Sequence, residues 1–312
     1  MVRKSISILV TWLITAIAVA DSYSLPPGAD LIGQLQTIKA NRKDTFLEIA
    51  RHFNLGQNEI RLANPNLNPW LLQDGAEVLL PKLFVLPDAV RQGIVLNIPE
   101  MRLYYFPAVR SGESFKVITH PVSIGRMDWA TPLGTTRVVA KVKDPVWIPP
   151  ESIKREHAAD GDILPDVVPP GPDNPLGKYA LRLGIAGYLI HGTDEAKEFG
   201  IGMRVTHGCV RMYPEDIERL FPQIPVGTPV TFVNQPIKLG WLNDELYIEV
   251  HPPLEERGHT YSYEDMLTQA LALIERKTQG MRLRIQGSAL RKALEEQTGV
   301  PVKIADRALP RT

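Results

Sequence analysis

The segment THGCVR, at residues 206–211, places one thiol between an imidazole and a guanidinium. Cys209 is the only cysteine in the chain of 312 residues. A thiolate is a strong nucleophile, but a free cysteine with a pKa of about 8.5 is mostly protonated at neutral pH. A neighbouring imidazole or cation lowers that pKa and helps to move the proton. Because His207 and Arg211 supply both kinds of group, the spacing indicates nucleophilic chemistry at Cys209.

Other residues near the thiol suit the remaining needs of an acyl transfer. Gly208 lets the backbone approach a substrate closely, and adjacent main-chain N–H groups can hold an oxyanion. Arg211 offers a planar, permanently charged fork for a carboxylate, and a structural salt bridge is its alternative role. A second His-Gly pair begins at His191. The spacing leaves open which histidine is the base, because His207 shares a strand face with Cys209 whereas His191 approaches it only through folding.

Two other interpretations of the thiol are weaker. A free cysteine is often a buried, inert core residue, or it forms a crosslink to another chain. The H-x-C spacing also fits half of a zinc site, which needs a third and a fourth ligand. The available candidates show no recognisable ligand spacing: His120, His157, Asp194 and Glu195. We therefore expect neither a metal nor another cofactor.

The segment as a whole resembles the active-site motif of the L,D-transpeptidases, the YkuD domain family. In that motif a histidine is followed by about 14 to 17 residues, then by Ser or Thr, His, Gly, Cys, an apolar residue, and Arg or Asn. Here His191 is followed by residues 192–205 and then by THGCVR, so every position fits. The resemblance covers residues 92–234 and includes TPLGT at 131–135 and NPLGKYALRLG at 174–184.

The resemblance implies a ping-pong acyl transfer through a thioester on peptidoglycan. Cys209 attacks the carbonyl of the diaminopimelate that precedes the terminal D-Ala of a tetrapeptide stem, and D-Ala leaves. An amine then takes the acyl group, either a diaminopimelate of another stem, which gives a 3-3 crosslink, or a lysine of an outer-membrane lipoprotein. If water replaces the amine, the protein is an L,D-carboxypeptidase or hydrolase with the same site. A non-catalytic peptidoglycan-binding protein is the remaining alternative.

The same resemblance implies a role for each residue of the motif. In the family the first histidine is the usual proton acceptor and a backbone carbonyl orients it, so His191 is the expected base and Gly192 supplies the expected carbonyl. His207 is the expected supporting group beside the thiol and the oxyanion site. Substrate binding is expected of Thr206 and Arg211.

The first 20 residues have the pattern of a secretory signal. Arg3 and Lys4 precede an apolar run at residues 6–20, which is short for a bilayer span of about 20 residues and ends in small residues at Ala20. This pattern predicts cleavage near Ala20 and a periplasmic protein, with an uncleaved anchor as the alternative. No later stretch predicts a membrane span. Cleavage leaves 33 basic and 35 acidic residues, a charge of −2 that does not fit a nucleic-acid binder.

Residues 34–82 predict a small strand–helix–helix–strand unit. Asp44 can cap a first helix that ends near Phe53, and a second helix is expected over residues 57–63. The unit resembles a LysM module, which binds the glycan of peptidoglycan and chitin, and the phrase NEIRLANPNLNPW at 58–70 carries most of the resemblance. A structural cap without a ligand is the alternative. Strands are expected at 35–38 and 76–80.

The remainder predicts a β-rich catalytic domain and a smaller C-terminal region. Many short strands with little helix point to a sandwich or barrel-like core, which agrees with the β-rich sandwich of the YkuD family. Residues 145–175 hold eight prolines, which block central strands, so we interpret this loop as a lid over the site, with one helical turn near 151–159. Residues 235–312 predict a small mixed α/β accessory region. The strands expected in the catalytic domain are 93–98, 103–106, 115–122, 136–142 and 188–190.

Within the C-terminal region, three elements are expected from the sequence. Residues 245–250 have the composition of a strand. Residues 263–279 carry an apolar stripe at helical spacing, and residues 288–298 predict a second helix with Ser288 as its cap. No residue of this region predicts chemistry.

Overall fold

The structure is a computed structural model that describes residues 21–109, 114–254, 260–279, 281 and 283–307. The predicted secretory signal at residues 1–20 lies outside these described residues. None of the helices in the described ranges combines the length and the apolar character that a membrane crossing requires.

The chain forms eighteen strands and six α-helices in its described part. In chain order the strands are β1 (Asp21–Ser24), β2 (Leu31–Gly33), β3 (Gln36–Lys39), β4 (Glu77–Leu80), β5 (Leu83–Val85), β6 (Gly93–Asn97), β7 (Arg102–Phe106), β8 (Lys116–Pro121), β9 (Ile124–Gly125), β10 (Gly134–Lys143), β11 (Tyr179–Leu183), β12 (Leu189–His191), β13 (Arg204–Thr206), β14 (Val210–Arg211), β15 (Pro229–Val233), β16 (Ile237–Leu242), β17 (Glu245–Val250) and β18 (Val302–Asp306). The helices are α1 (Phe46–His52), α2 (Gln57–Ala63), α3 (Glu151–Ala159), α4 (Pro214–Leu220), α5 (Tyr263–Thr278) and α6 (Gly287–Glu296).

A nine-stranded sheet forms the catalytic domain, in the order β1-β8-β7-β6-β15-β10-β11-β12-β14. Alternation along β6 shows why both faces of the sheet are covered. Ile94 and Leu96 enter the core that β10, β11 and β12 share, whereas Val95 enters a second core on the opposite face. Successive strand residues point to opposite faces, so a strand that is apolar throughout must be buried on both sides.

The prediction of a β-rich catalytic domain is confirmed, and each of its five predicted strands overlaps an observed one. The strands join into one curled sheet, however, rather than into the two sheets of a sandwich. The curl brings the β6–β8 end and the β10–β14 end together around one core, which α4 closes with Ile217 and Leu220. The strands β11, β14 and β15 were not predicted from the sequence.

The N-terminal unit has the predicted β3-α1-α2-β4 order, and β3 pairs antiparallel with β4. The cap of α1 differs from the expectation: Thr45 is the N-cap, and its hydroxyl and the Glu48 carboxylate form a capping box. The predicted cap, Asp44, accepts a hydrogen bond from the Asn41 backbone instead. The Thr-x-x-Glu spacing explains this difference, because it satisfies two N-terminal donors at once.

The N-terminal unit packs directly on the second face of the central sheet. Arg102 of β7 is fully buried, and its Nη2 donates to Glu59 Oε2 of α2 at 2.8 Å and to the Asn54 carbonyl at 3.0 Å. The first N–H groups of α2 also reach the loop before β13, since Gln57 donates to the Ile201 carbonyl at 3.0 Å. Gly202 lies so close to the unit that a Cβ there would meet the Gly56 Cα at 2.4 Å.

The C-terminal region is a three-stranded antiparallel sheet, β16-β17-β18, covered by α5 and α6. The predicted strand at 245–250 and helix at 263–279 are confirmed. The predicted cap at Ser288 is wrong, because Gln286 is the N-cap and Ser288 lies in the first turn of α6. Lys238 of β16 is buried at the junction with the central sheet, where its Nζ lies 2.8 Å from Glu100 and 2.7 Å from Glu249.

Candidate active site

The parallel pairing of two short strands brings His191 to Cys209. His191 on β12 pairs with Arg211 on β14, so their side chains lie on the same face. Cys209 is two residues before Arg211 and therefore shares that face. All three residues line one cavity of about 680 Å³. The distant histidine of the motif and the thiol thus line the same cavity through strand pairing that the spacing alone does not reveal.

Two threonine hydroxyls fix the loop that carries the thiol. Thr131 Oγ1 donates to the Gly208 carbonyl at 2.9 Å, and Thr206 Oγ1 donates to the Cys209 carbonyl at 2.6 Å. Gly208 has a φ of +98°, and a Cβ there would lie 2.8 Å from the Tyr188 ring, so glycine is required. In a trans peptide the N–H points opposite to the carbonyl, so the Thr131 bond also fixes the direction of the Cys209 N–H.

The loop geometry changes the interpretation of two residues. Thr206 was expected to bind substrate, but its hydroxyl is engaged by the Cys209 carbonyl, and its observed contact shapes the loop. Thr131 was not predicted as a site residue. In the sequence Thr131 is the first residue of the segment TPLGT, which belongs to the family resemblance. Its hydroxyl donates to the Gly208 carbonyl and accepts a hydrogen bond from the Gly125 N–H at 3.0 Å.

The surroundings of Cys209 favour the thiol over the thiolate. The side chain is half-buried, and Sγ lies 3.5 Å from the Gly187 carbonyl. Burial disfavours the thiolate and raises the pKa of Cys209, and this outweighs the lowering effects of the Leu189 backbone and of Arg211. The sequence indicated a thiol activated by neighbouring cations, whereas the folded surroundings call for a base that removes the proton during attack.

His191 is in the neutral form that such a base requires. The side chain is buried, and burial together with the nearby Arg211 charge lowers its pKa to about 3. The carbonyls of Gly192 and Leu176 act in the opposite direction on the same ring. The Gly192 carbonyl is thus close to His191, although Nδ1 makes no hydrogen bond of ordinary geometry within the described residues.

His207 is turned toward the lid, the segment 145–175. Its Nε2 lies 3.0 Å from Oε2 of Glu156 on α3, and the Trp129 ring packs edge-on against it with centroids 5.2 Å apart. Burial lowers the pKa of His207, and the Glu156 carboxylate opposes that effect. The imidazole is therefore engaged by the lid on one nitrogen, and Glu156 is a site residue that the sequence did not predict.

Arg211 presents an unpaired guanidinium to the cavity. Within the described residues no carboxylate lies close enough to form an ion pair with it, and its buried Nε has no hydrogen-bond partner. Asp194 attracts it electrostatically but is itself paired with Lys197 at 3.0 Å. A buried charge without a partner is costly, so the position favours a ligand carboxylate. Arg211 therefore forms no structural salt bridge with the residues that the structure describes.

The lid divides the space around Cys209 into two cavities. One has a volume of about 620 Å³ and the other about 680 Å³, and Trp147 and Ile153 of the lid line both. Cys209 and His207 also line both, so the thiol lies where the cavities meet. The larger cavity contains Arg211 and other charged groups, whereas the smaller one is lined mostly by apolar and aromatic side chains.

The lid is held in shape by its own contacts. Trp147 and Val168 exchange backbone hydrogen bonds at 3.0 and 2.8 Å. The Asn174 amide closes the base of the lid by donating to the Pro145 carbonyl at 2.8 Å. The predicted helical turn near 151–159 is α3. Two prolines flank its start at 149–150, which is consistent with the role of proline as a helix initiator.

Two of the candidate metal ligands of the sequence are each paired with a carboxylate. His120 pairs with Asp216 at 3.1 Å, and His157 pairs with Asp162 at 2.7 Å. Among the described residues one group of potential ligands lies close together, Glu100, Glu249 and His251. Lys238 Nζ is bonded to both of these carboxylates, so an internal ammonium already supplies their positive charge.

Comparison with known proteins identifies the family. The sequence profile of YkuD, the L,D-transpeptidase catalytic domain, matches residues 91–232. The chain is 37% identical over 303 residues to the probable L,D-transpeptidase ErfK/SrfK of Salmonella typhimurium, covering 94% of both chains. It is 38% identical to the probable L,D-transpeptidase YbiS of Escherichia coli K12, covering 92% of this chain and 93% of the other. It is 40% identical to the probable L,D-transpeptidase YcfS of the same organism, covering 77% and 75%.

The chain therefore belongs to the L,D-transpeptidase family, and its curled sheet is the YkuD-type catalytic fold. It is an enzyme of that family, as the motif predicted.

The protonated thiol leads to a testable pH dependence. Alkylation of Cys209 by iodoacetamide proceeds through the thiolate, so its rate is expected to rise about tenfold per pH unit below the pKa. Because burial raises that pKa, the midpoint is expected above the value of about 8.5 for an ordinary thiol. Mass spectrometry of the alkylated chain over pH 6–11 measures it. A midpoint near or below pH 7 would show a preformed thiolate–imidazolium pair instead.

Proposed function

We propose that this chain is a periplasmic enzyme that uses Cys209 to cleave the diaminopimelate–D-Ala bond of tetrapeptide stems and transfers the acyl group to an amine. The observation that carries the proposal is the position of Cys209 between two cavities, one of which contains a neutral His191. A ping-pong transfer needs one nucleophile that is accessible to two partners.

In the first half-reaction His191 takes the thiol proton as Sγ attacks the diaminopimelate carbonyl. The carbonyl oxygen becomes an oxyanion, which the Cys209 N–H, fixed in direction through the Thr131 bond, stabilises. The carbon–nitrogen bond to D-Ala then breaks, and the proton held by His191 passes to the leaving amine. A thioester between Cys209 and the stem remains.

In the second half-reaction an amine enters and His191 accepts its proton. The nitrogen forms a bond to the thioester carbon, and the proton returns to the Cys209 sulfur as it leaves. We assign the donor stem to the larger cavity, because the guanidinium of Arg211 there suits a stem carboxylate. The amine enters by the smaller, apolar cavity, and it belongs to a diaminopimelate of another stem or to a lysine of an outer-membrane lipoprotein.

Purified enzyme and tetrapeptide fragments, incubated with and without an amine acceptor, test the proposal. Transfer predicts release of D-Ala together with a product heavier by the acceptor, as seen by mass spectrometry. Release of D-Ala with no acceptor adduct at any amine concentration would assign the site to an L,D-carboxypeptidase. No release in either case would leave only the wall-binding alternative.

The two histidines are expected to differ in single-turnover acylation. Replacing His191 by alanine removes the proposed proton acceptor and is expected to slow loss of the free thiol by about 10²- to 10⁴-fold. Replacing His207 by alanine is expected to slow it less, because this ring bonds to Glu156. Stopped acylation mixtures, assayed for free thiol, measure both rates. If the His207 variant loses its free thiol more slowly than the His191 variant, His207 is the base and His191 the supporting group.

We also propose that the N-terminal unit binds the glycan of peptidoglycan, as a LysM-like module. Trp70 and Leu71, in the segment between α2 and β4, are 69% and 66% exposed. An exposed aromatic ring of this kind supplies a stacking surface for a sugar. The unit thus offers a wall-facing surface within the same chain as the thiol.

Replacing Trp70 by alanine in the full-length chain is expected to reduce sedimentation with purified peptidoglycan several-fold. The Cys209→Ala background excludes covalent capture. Val90→Ala is the matched control, because Val90 is 77% exposed but lies outside the unit. If the Trp70 and Val90 variants sediment equally with peptidoglycan, the N-terminal unit has only a structural role.

A further inference from the structure

Glu156, on the lid helix α3, occupies the one place where that helix is tied to the loop of the thiol. Its Oε2 lies 3.0 Å from His207 Nε2, and its Oε1 accepts from the Arg126 guanidinium. Both carboxylate oxygens are therefore used, and each reaches a different segment of the catalytic domain. Glu156 was not part of any sequence motif.

The two partners of Glu156 are themselves fixed to the catalytic loop. His207 belongs to the loop and packs against Trp129. The Arg126 N–H donates to the Thr206 carbonyl at 3.0 Å, and its Nε donates to Asp128 at 3.0 Å. A bond from the lid to either residue is thus a bond to the segment that positions Cys209.

The other ion pairs made by side chains of the lid lie within the lid. Lys154 pairs with Glu151 and Asp166, and His157 pairs with Asp162. Apart from Asn174 at the base, Glu156 makes every side-chain hydrogen bond and ion pair that joins residues 145–175 to the rest of the described chain. One carboxylate therefore governs the polar attachment of the lid over the thiol.

We propose that Glu156 is a positioning residue that latches the lid onto the loop of residues 206–209 through His207 and Arg126, and so closes the two cavities around Cys209 before a stem binds. Ile153, one turn earlier on α3, is buried and lines both cavities. Holding α3 in place thus holds the wall between the donor and the acceptor space. The consequence for the reaction rests on the proposed acyl transfer: a latched lid excludes water from the thioester and favours the amine.

The test uses the full-length chain and two glutamates of the same helix. Glu156→Ala is expected to raise the rate of Cys209 alkylation by iodoacetamide about tenfold, since losing a charged hydrogen bond makes an open lid more frequent by about that factor. Glu151→Ala is the matched control, because Glu151 is 79% exposed and pairs only with Lys154 within the lid. It is expected to leave the rate unchanged. Glu156→Gln keeps the shape of the side chain but removes its charge, so its alkylation rate is expected to lie between those of the parent and of Glu156→Ala.

A second readout follows the products. With stems and an amine acceptor, Glu156→Ala is expected to raise the ratio of hydrolysed to transferred product several-fold, while Glu151→Ala leaves this ratio unchanged. A merely structural contribution would lower both products together. Melting temperatures within a few degrees of the parent establish that each variant is folded.

Alkylation rates of Glu156→Ala and Glu156→Gln within twofold of the parent would overturn the latch. Alkylation requires no stem peptide, so it reports on the lid even in a chain that transfers nothing. If Glu156→Ala is alkylated at the parent rate and the parent transfers acyl groups normally, the latch is wrong and the proposed function stands. If Glu156→Ala is alkylated faster but the parent transfers nothing, the latch stands and the proposed function is wrong.

Discussion

Replacing Cys209 by alanine is expected to reduce D-Ala release from tetrapeptide stems by at least about 10⁴-fold, because removing the nucleophile removes the covalent route. The thioester should also disappear from intact-protein mass spectra. The sequence has no other cysteine that could replace it. The comparison of release rates and acyl-enzyme masses between the two proteins measures the effect.

The fold is expected to survive this substitution. Sγ lies 3.5 Å from the Gly187 carbonyl and close to the Leu189 backbone, both weak contacts, and the side chain is half-buried. The melting temperature should therefore change by a few degrees at most. Substantial D-Ala release by a folded Cys209→Ala protein would rule out the thioester mechanism.

Replacing Arg102 by methionine is expected to lower the free energy of unfolding by about 3–5 kcal/mol, the usual effect of breaking a buried ion pair from one side. Arg102 is fully buried, and its loss leaves the Glu59 carboxylate without its guanidinium between α2 and the central sheet. Urea unfolding curves of the two proteins measure the difference.

Arg51→Met is the control for this experiment. Arg51 also links the N-terminal unit to the catalytic domain, through Glu198 and Glu215, but its side chain is 45% exposed. Exposed ion pairs contribute about 0–1 kcal/mol, so the unfolding curve should move little. Equal shifts for the Arg51 and Arg102 variants would show that burial of the pair is not what stabilises this junction.

The residues of the site were predictable to the extent that they share one short motif. The order of residue types around Cys209 indicated a nucleophile, and the short runs of β-forming residues at 93–98 and 103–106 indicated strands. The approach of His191 to the thiol was implied only by family resemblance, because it depends on the pairing of β12 with β14. Strand pairing joins residues that are far apart in sequence, and composition carries little information about it.

Contacts between distant segments explain what the sequence did not reveal. Thr131 and Glu156 reach the catalytic loop across 77 and 51 residues. Arg102 lies just before the strand predicted at 103–106, yet it is the buried partner of Glu59 on α2. The pKa of Cys209 rises for the same reason, since burial by the surrounding segments outweighs the neighbours that the motif shows. Each of these effects depends on what the fold brings together.

The close seating of α2 on the loop before β13 has a consequence for how the enzyme works on a polymer. A wall-binding module on a flexible tether samples many distances, so its enzyme modifies whatever lies within reach. Here Gly56 and Gly202 lie in close contact, and Arg102 and Glu59 are buried between the two units, so direct packing rather than a tether joins them. Together with the glycan binding proposed above, this packing restricts the enzyme to stems close to the strand that the N-terminal unit holds.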